Sequence, residues 1–142
     1  MPKSWICIDA NLVIRLIADP KDEVVRRLWE QWENEKRPLA APTLLWYEVT
    51  NGLYRYQRQG LMSTSSMRLA LQAALSLPCH LHGETDLHVH AIDLASRFSL
   101  PAVYDAHYLA LAEQLGAEFW TADRRLAQAV RPALPWVRLL SE

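Results

Sequence analysis

Glycine is scarce in this chain, four among 142 residues, at positions 52, 60, 83 and 116 with no two close together. That spacing excludes the GxGxxG dinucleotide loop, the phosphate-binding P-loop and the GxSxG nucleophile elbow, each of which needs paired glycines. HExxH is absent as well. Cysteine is equally sparse: Cys7 and Cys79 lie far apart, each in an apolar segment, which provides neither a CxxC metal clip nor a disulfide framework and suits a reducing cytoplasm. No stretch approaches the roughly 18 apolar residues of a membrane span. The apolar run from Trp5 is cut at Asp9, too early for a signal-peptide core. A cytoplasmic protein with no membrane partner is expected. A basic excess is missing too, since 15 Lys and Arg face 16 Asp and Glu, whereas a dedicated duplex-binding module usually carries a strong positive charge. Yet 12 of the 15 cations are Arg, the side chain suited to bidentate phosphate contacts, so a local patch for nucleic acid stays open.

What is present is a chain with 51% apolar positions. At this length a fold buries roughly 70% of the surface its unfolded form exposes, enough for one domain over 1–142 without disulfides or a structural metal. Segment 4–8 reads as a buried strand, and a helix over about 11–18 follows. Val24, Val25, Leu28, Trp29 and Trp32 recur at helical spacing beyond Pro20. Residues 38–41 read as a short strand or link, and Pro42 suits the first turn of a helix reaching about Gln59 and stopped by Gly60. A helix from the Ser63–Ser66 caps to about Leu77, a strand at 79–82, a helix over 84–98 and one over 104–115 stopped by Gly116 come next. The strand AEFWTAD, a brief helix through Val130 and a last strand WVRLL complete the chain. Strands separated by helices imply an α/β three-layer α/β/α sandwich with a mainly parallel sheet.

The acidic residues stand where folding alone has little use for them. Asp9 closes the first strand and Asp123 closes the strand EFWTA, and the crevice beyond the carboxyl ends of parallel strands is where ligands bind. Capping of the following helix is the plain structural alternative for each. Glu48 lies inside the helix over 42–59 among Leu44, Leu45 and Gly52; a carboxylate there needs a partner, which is either a cation or Arg55. Asp105 opens the helix YDAHYLALAEQLG, where capping is again the alternative. Two carboxylates about 5 Å apart repel by roughly 3 kcal/mol at an effective dielectric near 20. Gathering four of them calls for a cation. Oxygen-only ligands select Mg²⁺ or Mn²⁺, ions that act on phosphates, so metal-assisted phosphoryl or phosphodiester chemistry is expected.

The segments CIDANLVIRL, APTLLWYEVTNGL and PAVYDAHYLALAEQLGAEFWTADRRL resemble the successive acidic motifs of PIN-domain ribonucleases, and their order and the chain length are similar to the VapC toxins of toxin–antitoxin pairs. The likeness spans almost the whole chain, is most specific over the YDA helix and the TAD strand end, and is weakest over 60–98. It implies a PIN-like fold and an Mg²⁺- or Mn²⁺-dependent endoribonuclease that cuts RNA with a metal-activated water. Asp9, Glu48, Asp105 and Asp123 match the metal-binding acidic positions. Asn11 matches a polar position two after the first aspartate, and Thr121 the polar residue before the last. Asn11, Thr121, Arg55 and Arg124 are expected on the substrate side. The resemblance also implies a homodimer and a cognate antitoxin whose tail blocks the site. Asp9, Glu48 and Asp105 are expected to hold one ion, with Asp123 on a second or acting through water.

Several competing readings remain at this level. A PIN-type nuclease that processes RNA without being a toxin has the same residues. Another Mg²⁺-dependent α/β phosphohydrolase is disfavoured because a haloacid-dehalogenase-like site needs DxD, where this chain has Asp9-Ala10-Asn11. His80 with His82, and His88 with His90, form two HxH pairs, but on a helix the second pair diverges by about 200°, so one four-ligand zinc site is not expected. A solvent-facing or packed position accounts for His107, and a surface pair for Asp93 with Arg97. Five of the six tryptophans fall on apolar stripes or strands; Trp46 is the exception. Arg15, Arg55, Arg58, Arg124 and Arg125 are candidates to carry an RNA backbone past the acidic site.

Overall fold

The computed structural model describes residues 4–140. Its elements are β1 (Ile6–Ile8), α1 (Ala10–Ala18), α2 (Glu23–Asn34), β2 (Leu39–Pro42), α3 (Leu44–Arg58), α4 (Thr64–Leu75), β3 (Cys79–His82), α5 (Thr85–Arg97), α6 (Tyr104–Leu115), β4 (Glu118–Thr121), α7 (Arg124–Val130) and β5 (Val137–Leu139). The five strands form one sheet, all parallel, in the order β3-β2-β1-β4-β5. Helices α1 to α4 pack on one another, α5 packs on α6, and α6 lies against β1, β2 and β4. With right-handed crossovers this sets α1–α4 on one face and α5–α7 on the other, which is the expected three-layer sandwich.

The strand order decides where a site can form. From β1 the chain moves outward to β2 and β3, then crosses back to β4 on the other side of β1. The crevice above the carboxyl ends of β1 and β4 is therefore the switch point at which open α/β sheets bind ligands. Both strands are anchored by the core: Ile6, Cys7, Ile8 and Phe119 are buried, and Ile8 stands in register with Trp120. Two glycines have local work. Gly116, at φ 62°, ends α6 in the left-handed conformation that favours glycine. Gly52 lets α3 approach α1 closely, since a Cβ there would run into the Ile14 side chain.

Two boundaries differ from the sequence reading. Pro42 is the last residue of β2 rather than the first turn of α3: it pairs with His82, and the ladder tolerates a proline at a strand end. The strand before Asp123 stops at Thr121, and Asp123 caps α7 instead. No described helix is long and apolar enough to cross a membrane.

Candidate active site

Asp9 is the residue after β1 and the N-cap of α1. Its Oδ1 accepts from the Leu12 backbone N–H at 3.0 Å, and its Oδ2 accepts from the Thr121 hydroxyl at 2.5 Å. Thr121 Oγ1 in turn accepts from the Asp123 backbone N–H at 2.9 Å, and Asp123 Oδ1 caps α7 through Leu126 N–H at 3.1 Å. One chain of hydrogen bonds thus ties the ends of β1 and β4 together. Capping and a site role are compatible here, because each aspartate keeps oxygen lone pairs beyond the one used by its cap.

Glu48 enters from α3. Its Oε1 accepts from the Tyr108 hydroxyl at 2.6 Å, and Tyr108 lies on α6, one helical turn after Asp105. Arg55, the alternative partner, makes no ion pair with Glu48 within 4 Å among the described residues. Asp105 sits in the first turn of α6, whose N-cap is Val103 without a side-chain cap, so capping does not explain it. Asp9, Glu48, Asp105 and Asp123 line a single cavity of about 190 Å³ together with Asn11, Asn51, Gly52, Arg55 and Tyr108.

The electrostatics match a site built for a cation. Burial raises the Asp9 carboxyl from 3.8 to about 6 against the pull of its Thr121, Leu12 and Ala122 hydrogen bonds, and the neighbouring Asp105 charge raises it further. Asp105 is also raised, first by burial and then by Asp123 and Glu48. Burial, followed by the Glu48 charge, keeps Tyr108 a neutral phenol. Among the described residues no three acidic, His or Cys side chains already stand close enough to enclose an ion. Two of the four carboxylates are held by hydrogen bonds from Tyr108 and Thr121. The donor set, all carboxylate oxygen in a half-buried cavity, fits Mg²⁺ or Mn²⁺ and does not fit a thiolate- or imidazole-seeking metal.

Some expected residues fall elsewhere. Thr121 is 0% exposed and cannot touch a substrate; it orients Asp9, because a β4 position facing the core leaves its hydroxyl only Asp9 and the Asp123 N–H to bond. Arg15 is engaged by Asp22 at 2.7 Å, which removes it from the free cations. Arg124 is exposed at the start of α7 but does not line the cavity, whereas Asn11 and Arg55 do. His88 bonds His107 at 2.8 Å and His90 bonds Glu113 at 2.7 Å, so the HxH pairs do not converge. The Asp93–Arg97 pair does not form within 4 Å among the described residues; the Arg97 guanidinium lies over the Phe98 ring instead. Tyr108 and Asn51 are the site residues that sequence reasoning missed. A signal existed for Tyr108: it lies three after Asp105 in an otherwise apolar helix, and a buried phenol needs a partner.

The family model described as PIN domain matches residues 6–132. Ribonuclease VapC3 of Pyrobaculum aerophilum is 30% identical over 133 residues, covering 91% of this chain and 96% of that protein. Ribonuclease VapC3 of Mycobacterium tuberculosis is 30% identical over 131 residues, covering 90% and 89%. A solved toxin–antitoxin complex from Klebsiella pneumoniae contains a chain of the same fold, with TM-score 0.67 at 21% identity over 96% of this chain and 98% of that one.

Proposed function

The chain belongs to the PIN-domain family, and on that premise we propose that it is a divalent-metal-dependent endoribonuclease, the toxin of a toxin–antitoxin pair, with residues 1–142 forming one nuclease domain and Asp9, Glu48, Asp105 and Asp123 as its metal ligands. The observation that carries this reading is the convergence of four carboxylates, two from the N-caps of α1 and α7 and two from α3 and α6, on one cavity at the switch point of the sheet. Two relatives named ribonuclease, aligned over nearly their whole length, support the reaction class.

An Mg²⁺ or Mn²⁺ ion bound among these oxygens supplies an activated water and offsets charge developing on the phosphate. The protein does the rest by orientation. Thr121 and the Leu12 N–H fix the two Asp9 oxygens, and Tyr108 fixes one Glu48 oxygen while leaving the other free. Asn11 and Arg55 stand at the cavity wall where a phosphate would lie, and the exposed Arg124 is near enough in sequence to Asp123 to hold the strand beyond it. No side-chain nucleophile is required. The antitoxin is the expected protein partner, a homodimer the expected assembly, and the cytoplasm the expected compartment. Single-stranded or structured RNA incubated with the purified protein and Mg²⁺ or Mn²⁺ is expected to be cut and to be spared by EDTA; cleavage that persists in EDTA overturns the metal mechanism.

A further inference from the structure

Helix α3 carries a second row of side chains that the acidic site does not use. At about 100° per residue, Tyr47, Tyr54 and Arg58 fall on one stripe beside the row of Glu48 and Arg55, with Asn51 between the two. Tyr47 is 76% exposed and Tyr54 50%, on a helix that buries its other face through Leu45, Val49 and Leu53. Trp46, Tyr47, Thr50, Asn51 and Tyr54 line a shallow groove of about 480 Å³. Asn51 also lines the acidic cavity, so groove and cavity adjoin at that residue. The Arg58 guanidinium stands 6.0 Å from the centre of the Tyr54 ring, and its Nη1 donates to the Tyr54 hydroxyl at 3.5 Å. Arg55 and Arg58 have no carboxylate within 4 Å among the described residues.

We propose that this outer face of α3 is a nucleobase-stacking subsite, which takes unpaired bases of a single-stranded RNA next to the phosphodiester held at the acidic cavity. The proposal rests on the ribonuclease reading above and names how that site chooses its substrate. Tyrosine rings give flat faces that stack on any base, and free arginines beside them supply the charge that matches the backbone. A duplex keeps its bases stacked inside and presents none to such a groove, so the subsite selects single strands or loops. An apolar peptide would use aliphatic pockets and leave two unpaired guanidinium groups without a purpose. Because the groove adjoins the cavity at Asn51, the bases it takes belong to the strand that carries the reacting phosphate.

The test is a cycle between protein and substrate. Cleavage with Mn²⁺ is measured for the wild type, Y47A/Y54A and Y47F/Y54F, each on a short mixed-sequence single strand and on the same strand with the bases flanking the cut site removed. Y47A/Y54A is expected to lower kcat/KM on the intact strand about tenfold, mostly through KM, and Y47F/Y54F, which keeps both rings and loses only the Tyr54–Arg58 hydrogen bond, to stay much closer to wild type than the alanine variant does. Base removal is expected to cost the wild type a similar factor and the alanine variant nothing further. Additive losses, or full activity of Y47A/Y54A on the intact strand, overturn the subsite while leaving the ribonuclease reading in place. A wild type that cuts neither strand removes the ribonuclease reading and the subsite with it. Sedimentation of the same variants adds one outcome: a wild-type dimer that falls to monomer in Y47A/Y54A marks this face as covered by a second copy and overturns the proposal.

Discussion

Tyr108 on α6 donates a 2.6 Å hydrogen bond to Glu48 on α3, joining two helices that pack on opposite faces of the sheet. The bond spans the crevice at its buried end. It holds the α3 carboxylate in the cavity shared with Asp9 and Asp105, and Tyr108 itself, only 1% exposed, offers almost no surface to a substrate.

Tyr108→Phe therefore separates position from packing. The ring keeps its place 5.8 Å from Phe119, and loss of one hydrogen bond to a carboxylate is expected to cost about 2 kcal/mol of stability. The cleavage rate is expected to fall several-fold, with a higher Mn²⁺ requirement and an unchanged KM for RNA. A metal titration of the rate checks this. An unchanged Mn²⁺ dependence contradicts the positioning role.

Thr121→Val keeps volume in the core and removes the donor to Asp9. The Thr121 hydroxyl lowers the Asp9 carboxyl pKa, so without it Asp9 holds its proton to higher pH. The acid limb of the pH–rate profile is expected to move upward, with the rate well above that limb recovering most of its wild-type value. A limb that stays in place shows that the bond does not govern Asp9.

Asp9 also sets a pH dependence of stability in metal-free protein. Its carboxyl titrates at about 6 in the fold against an ordinary 3.8. The fold thus favours the protonated form: this stability is fully present below about 3.8 and is lost as pH rises through about 6. The span amounts to roughly 3 kcal/mol at most. In EDTA the Tm is expected to fall as pH rises across this window, and Asp9→Asn is expected to remove that contribution and to be at least as stable as wild type at neutral pH, while inactive. Mn²⁺ should restore wild-type stability above pH 6. Asparagine caps a helix as well as aspartate does, so a large loss of Tm at neutral pH in Asp9→Asn would contradict the charge-burial account.

Arg124→Ala addresses binding rather than chemistry. Arg124 is exposed and outside the cavity, so its loss is expected to raise the KM for RNA and flatten the salt dependence of binding while kcat changes little. A fall in kcat alone would place Arg124 against the reacting group.

The acidic residues were legible because burying a carboxylate among Leu44, Leu45 and Gly52, or ending a buried strand on one, is a poor choice for folding unless something cationic fills the gap. The alternation of short apolar strands with amphipathic helices likewise gave the layer order, since each pattern has only one way to bury its apolar face. What stayed hidden depends on pairing in space. Thr121 reads as a polar residue near a site, but only the parallel register of β1 with β4 turns its hydroxyl inward onto Asp9. Tyr108 bonds a residue sixty positions earlier, a relation that helical periodicity within α6 does not carry. Arg15 looked free because its partner Asp22 lies across the break between α1 and α2. Pro42 misled because proline is welcome both at a helix start and at a strand end.

The central claim is that the four-carboxylate cavity is a metal-dependent catalytic centre, and the rate of RNA cleavage against free Mn²⁺ for wild type, Glu48→Gln and Asp105→Asn, with RNA affinity measured in parallel, tests it most directly. The account predicts a saturable Mn²⁺ dependence in the wild type, and rates lower by orders of magnitude in both variants with RNA affinity little changed. Near-normal cleavage by Glu48→Gln, or a wild-type rate indifferent to Mn²⁺ and EDTA, would contradict it.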